Sequence, residues 1–107
     1  MKRHAVAYPL ALAAAMWMPA GSAIAADKAF GQYLSSECVT CHQLSGHYEG
    51  IPPIVGWPEP IFIEAMQDYR KKKRDNPIMQ TVADRLSAEE IAALAAYFGS
   101  LPAVAAK

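Results

Sequence analysis

The pentapeptide Cys38-Val39-Thr40-Cys41-His42 constrains this chain more than any other stretch of its 107 residues, because it commits both cysteines of the protein and a histidine to one spacing. Two thiols separated by two residues can reach the two vinyl groups on one porphyrin edge, and an imidazole directly after the second can point at the iron. Cys-x-x-Cys-His is the attachment signature of a c-type haem. Three other uses of the spacing ask for partners the sequence lacks. A redox-active dithiol belongs beside a βαβ pattern, and no alternating β-branched strands flank the motif. A structural zinc site needs four protein ligands, and the remaining histidines, His4 and His47, have no partner at finger spacing. A plain disulfide would account for Cys38 and Cys41 and leave His42 without a role.

The N-terminus reads as a secretory signal peptide over residues 1–25. Met1-Lys2-Arg3-His4 is basic, Ala5 to Pro19 is predominantly apolar, and Ala23-Ile24-Ala25 places small residues at a cleavage spacing. With Pro9 and Pro19 in it, the apolar run falls short of the roughly 20 residues of a membrane-spanning helix. Cleavage near Ala25, with Ala26 as the neighbouring choice, leaves one domain over residues 26–107 and a periplasmic location, where c-type haem is attached. Lys2 and Arg3 leave with the signal, so eight cations face ten anions in the mature chain, a net charge of −2. Weak acidity argues against nucleic acid as a partner. About 80 residues bury little apolar surface unaided, so a porphyrin is expected to supply much of the core and to couple folding to its own attachment.

Periodicity then gives an all-α domain with three main helices. Asp27 to Ser36 carries Phe30, Tyr33 and Leu34 at helical spacing behind an aspartate, and the motif is expected to continue helically from it. Gly31 lies inside that helix, explained either by tolerance or by close approach of another helix. From Gly46 to Pro60, seven glycines and prolines exclude regular structure. A loop of that length has a task, and Ile51, Ile54, Val55 and Trp57 suit it to wrapping a haem edge on the histidine side. Ile61 to Tyr69 places Phe62, Met66 and Tyr69 on one face of a second helix. It runs into Arg70-Lys71-Lys72-Lys73-Arg74, where cations suit a helix C-terminus, and Asp75-Asn76-Pro77 stops it. Ser87-Ala88-Glu89-Glu90 is a capping box opening a third helix, with Ile91, Leu94, Ala95 and Phe98 as its buried stripe and an end near Gly99 and Pro102.

His42 fills one axial position of an iron, and the opposite position decides what the protein does, since a thioether blocks substrate access and raises the reduction potential. His47 stands too close to His42 to cross the macrocycle and reads as a surface residue. Met66 sits in a helical pattern where a flexible apolar side chain is more often core filler. Met79 follows Asn76-Pro77-Ile78 outside strong periodicity, on a connecting segment that can bring sulfur to iron, and is the expected second ligand.

Four segments in this order, namely Cys38 to His42, Pro52-Pro53-Ile54-Val55-Gly56, Pro77-Ile78-Met79, and the run from Leu86 to Phe98, resemble a class I monohaem cytochrome c across nearly the whole mature chain. The resemblance implies the class I cytochrome c fold wrapped around one covalent haem c, with crossing N- and C-terminal helices that give Gly31 and Tyr97 a packing role. It further implies thioethers at Cys38 and Cys41, His42 and Met79 as iron ligands, and the Pro52 carbonyl accepting the other imidazole proton of His42, an outer hydrogen bond that orients the ring. Pro60 to Met66, the basic turn and Pro77 to Met79 are similar to the small cytochrome subunit of flavocytochrome c sulfide dehydrogenase and to soluble cytochromes c-553.

Three functions follow from these expectations. The first is a diffusible single-electron carrier, steered to an acidic partner by the run from Arg70 to Arg74. The second is a permanent electron-transfer subunit of a dehydrogenase, receiving electrons from a partner chain, since no flavin fingerprint occurs here. An open-site haem enzyme or gas sensor is the third, and the chain lacks the polar distal groups it needs. The expected partners are redox proteins: a flavoprotein dehydrogenase, and a terminal oxidase or another cytochrome.

Overall fold

The computed structural model describes residues 3–5, 27–46 and 49–104. The signal peptide read over residues 1–25, and His47, lie outside these apart from Arg3, His4 and Ala5. Four α-helices carry the described fold, α1 (Lys28–Leu34), α2 (Glu59–Arg70), α3 (Pro77–Asp84) and α4 (Ala88–Ser100), and a 3-10 turn over Ser35–Glu37 extends α1. Among the described residues there is no β-strand, and no helix is long and apolar enough to cross a membrane.

Three of the four helices, α1, α3 and α4, begin where a side chain satisfies free N–H groups of the first turn. Asp27 Oδ1 accepts from the amides of Ala29 at 2.9 Å and Phe30 at 3.2 Å. At α4 the capping box is complete: the Glu90 amide donates to Ser87 Oγ at 3.1 Å, and the Ser87 amide donates back to Glu90 Oε1 at 2.9 Å. Glu59 and Pro60 open α2, proline being tolerated there because its missing N–H has no partner in a first turn.

Four helices replace the three expected, and the added one is α3. Asn76-Pro77 reads as a stop for the preceding helix, but the same dipeptide is also a start. Asn76 Oδ1 accepts from the Met79 amide at 3.0 Å, and Pro77 occupies the first helical position. The basic run also departs from expectation, because only Arg70 lies in the last turn of α2. Lys72 adopts φ +60 and turns the chain out of the helix, and its Nζ pairs with Asp84 of α3 at 2.7 Å. Both groups are half exposed, so the pair is worth a fraction of a kcal/mol up to about 1.

The core is built on α4, whose Ile91, Leu94 and Phe98 are the largest fully buried side chains. Phe62 of α2 stacks on Phe98 with ring centroids 5.9 Å apart, and Tyr97 meets Phe98 edge-on at 5.2 Å. The first and last helices cross at Gly31, as the reading of close approach requires. A Cβ there would overlap the Ala93 carbonyl oxygen and come 2.8 Å from the Tyr97 Cβ. Between the helices the loop, described from Glu49 to Pro58, is irregular, and its middle packs inward. Ile54 and Val55 are buried, and the Gly56 amide donates to the Phe98 carbonyl at 2.8 Å. Gly56 has φ +75, and a Cβ on it would meet Ala103 Cα at 2.6 Å, so this tie admits only glycine.

Candidate haem site

Beyond the 3-10 turn the chain makes one more helical turn through the motif. The amides of Val39 and His42 donate to the carbonyls of Ser35 and Cys38, at 3.0 and 2.7 Å. That turn half-buries Cys38, leaves Cys41 exposed, and swings His42 toward the irregular loop. There the His42 Nδ1–H donates to the Pro52 carbonyl at 2.8 Å. A carbonyl only accepts, so the bond selects the tautomer with hydrogen on Nδ1 and leaves the Nε2 lone pair for another partner.

An open-mouthed apolar cleft lies beside this histidine, walled by Cys38, His42, Pro52, Met66, Met79 and Leu94 among others. The motif, the loop, α2, α3 and α4 each contribute to the wall. Cys38, His42 and Met79 are therefore brought together at one cavity; Cys41, adjacent to His42 in sequence, is not part of the lining.

Two methionines reach the cleft, and their packing differs. Met66 is only 6% exposed and belongs to the continuous core with Phe62, Leu94 and Phe98. Met79 is partly exposed at the edge of that core and packs against it, its amide held by the Asn76 cap of α3. Its position on the first turn of a helix, rather than on a loop, fixes its backbone more tightly than the sequence suggested.

The thiol of Cys38 is pushed up to about 11, chiefly by burial, with the Glu37 carboxylate and Cys41 adding to it. It stays protonated at neutral pH in the absence of a bound group. Among the described residues no group of three or more His, Cys, Asp and Glu is arranged to hold a metal ion. One imidazole and one thioether on the lining are too few ligands for a bare ion, and they are side chains of the kind that would complete an iron already held by ring nitrogens. The apolar wall, the free Nε2 and the half-buried Cys38 all fit that group.

Two lining residues escaped the sequence reading. Tyr69 was assigned to the buried face of its helix, and Arg74 to a solvated basic run. Both border the cleft, with the Arg74 guanidinium carbon 5.2 Å from the Tyr69 ring centroid. Such a cation–π contact is worth about 0.5–1 kcal/mol at an exposed site. No local pattern separates Arg74 from Arg70 or the lysines between them, so only the fold singles it out.

The chain is similar in sequence to known proteins. The chain is 33% identical over 72 residues to the cytochrome subunit of sulfide dehydrogenase of Chlorobaculum tepidum, a match covering 66% of each chain. It is 36% identical over 69 residues to the thiosulfate dehydrogenase electron acceptor of Stutzerimonas stutzeri, and 31% identical over 70 residues to that of Thiomonas intermedia. These two matches cover 62% and 63% of this chain and 32% of each relative, so the chain spans about a third of their length. No family model matches. A helical chain with a Cys-x-x-Cys-His turn on an apolar cleft, related in sequence to these proteins, belongs to the small c-type cytochromes. Its relatives are named as a cytochrome subunit and as electron acceptors of dehydrogenases, so its kin are electron-transfer chains rather than catalytic ones.

Proposed function

We propose that this protein is a periplasmic class I monohaem cytochrome c that passes single electrons to or from a dehydrogenase. The observation that carries the reading is the hydrogen bond of His42 Nδ1 to Pro52 on the wall of the apolar cleft. It orients an imidazole whose remaining nitrogen is suited to a metal, opposite a methionine from another helix. In this reading Cys38 and Cys41 form the thioethers, His42 and Met79 are the axial ligands, and the bound haem supplies the one-electron couple. Leu94, Phe62 and Met66 keep water from the inner wall. The thioether of Met79 would hold the iron together with His42, and would leave no vacancy of the kind an oxygen-activating or gas-binding site requires.

A second reading, a fixed subunit of a dehydrogenase complex, is favoured by the name of the Chlorobaculum tepidum relative. It predicts a partner chain that stays bound through purification at high salt, whereas a diffusible carrier docks through a small contact and is lost.

The test is export of the full chain in a host that matures c-type cytochromes. Intact mass should show signal cleavage near Ala25 and one haem added through Cys38 and Cys41. The ferric spectrum should carry the weak long-wavelength band of thioether-to-iron charge transfer. A chain that reaches the periplasm folded but without haem would overturn the reading.

A further inference from the structure

We infer that Gln80 is a positioning residue for Met79: its side-chain amide fastens α3 to the end of α2 and so sets how firmly the methionine beside it is held at the cleft. The inference deepens the haem reading above and rests on it for the role of Met79. Packing supports α3 weakly. A helix of eight residues is too short to be stable alone, and of these only Ala83 is buried, while Ile78 is 73% exposed. Met79 and Val82 are partly buried against the core at its edge. Polar ties must therefore set how α3 is oriented.

Three such ties occur, and they differ in what they hold. The Asn76 cap acts within α3 itself, shaping its start without anchoring it to another helix. The ion pair of Lys72 with Asp84 lies at the far end, half exposed and weakened by salt. Between them the half-buried Gln80 donates from Nε2 to the Arg74 carbonyl at 2.9 Å. That carbonyl is a fixed point, because the amides of Lys73 and Arg74 both donate to the Asp68 carbonyl of α2, at 2.9 and 3.3 Å. Consecutive residues on a helix point about 100° apart, so Gln80 can grip the turn while Met79 borders the cleft. Met66 and Tyr69 of α2 border it too, and the bond thus joins two walls of one cleft. A tilt of α3 away from α2 would carry Met79 off its wall and open the second axial side to an outside ligand.

The experiment titrates the ferric holoprotein with imidazole, read from loss of the charge-transfer band, in the wild type, Gln80→Leu, Gln80→Lys and Ser87→Ala, and records thermal unfolding of each. Gln80→Leu should bind imidazole about 2- to 10-fold more tightly, the weight of one net hydrogen bond. Gln80→Lys keeps a donor of sufficient reach and should recover part of the change. Ser87→Ala loses the cap of α4 and should melt earlier, yet bind imidazole as the wild type does. Equal affinity in Gln80→Leu and the wild type, a rise matched in Ser87→Ala, or no recovery in Gln80→Lys would make the bond an ordinary stabilising contact and overturn the inference. Where Gln80→Leu does not mature, Gln80→Glu, which keeps the length and loses the donor, replaces it with the same expectations. Absence of covalent haem or of the charge-transfer band in the wild-type chain overturns the haem reading itself and is distinct from an unaltered imidazole affinity in a haem-loaded Gln80 variant.

Discussion

The Nδ1 of His42 lies 2.8 Å from the carbonyl oxygen of Pro52, joining the Cys-x-x-Cys-His turn to the irregular loop that follows it. The bond acts on two scales. At the ring it fixes a tautomer; along the chain it pins a loop without regular hydrogen bonding beside the cleft that the loop helps to wall.

Loosening that loop should therefore be felt at the iron. Replacing Pro52 by glycine keeps the carbonyl but frees the backbone that aims it, by about 1 kcal/mol of chain entropy or more. The holoprotein should show a shifted midpoint potential and a lower melting temperature. An unaltered potential would detach the His42 hydrogen bond from redox tuning.

The two methionines of the cleft should separate by experiment. Met79→Ala should abolish the ferric charge-transfer band and lower the potential while the chain remains folded. Met66→Ala should keep the band and destabilise by about 2–5 kcal/mol, the usual range for a truncated core side chain. Survival of the band in Met79→Ala would transfer the ligand role away from Met79.

Gly31→Ala tests the helix crossing. In an unconstrained helix interior this change stabilises by about 0.5–1 kcal/mol. Here the new Cβ overlaps the Ala93 carbonyl, so the sign reverses, with a loss of at least 1–3 kcal/mol expected from overpacking. In a domain of this size that lowers the melting temperature by roughly 4–8 °C per kcal/mol. Thermal unfolding followed by circular dichroism gives the answer directly.

The capping box offers a smaller, cleaner change. Ser87→Ala removes the acceptor of the Glu90 amide and should cost about 1 kcal/mol without altering the visible spectrum. A spectral change would tie the start of α4 to the haem environment.

Haem-dependent folding is tested by Cys38→Ala/Cys41→Ala produced without haem. The cleft cuts into a small core and is apolar, and the chain lacking its occupant should be largely disordered, with no cooperative thermal transition. A sharp transition in that variant would contradict the coupling.

Legibility in the sequence followed the range of the interactions. Ser87 and Glu90 cap each other across one turn, so α4 could be read from four residues. Gly31 gave two readings locally, and only Ala93, far along the chain, decides between them. Asn76-Pro77 is ambiguous for a physical reason, since proline both ends one helix and suits the first position of the next. Read only as a stop, the dipeptide leaves Met79 on a connecting segment; as a start, it puts Met79 in the first turn of α3. Lys72 was misplaced because a left-handed lysine has no signature when it stands among other cations, and Arg74 was hidden by the same neighbours.

The crossing of α1 with α4 has a consequence for the order of events. Gly31 waits for a partner near the far end of the domain, and α4 also brings Leu94 to the wall of the cleft. Until α4 docks, the cleft lacks one wall and the Cys38 to His42 turn is approachable from that side. Docking of α4 must overcome the entropy of closing the intervening segment, and when it does so it seals the crossing at Gly31 and one side of the cleft in a single event.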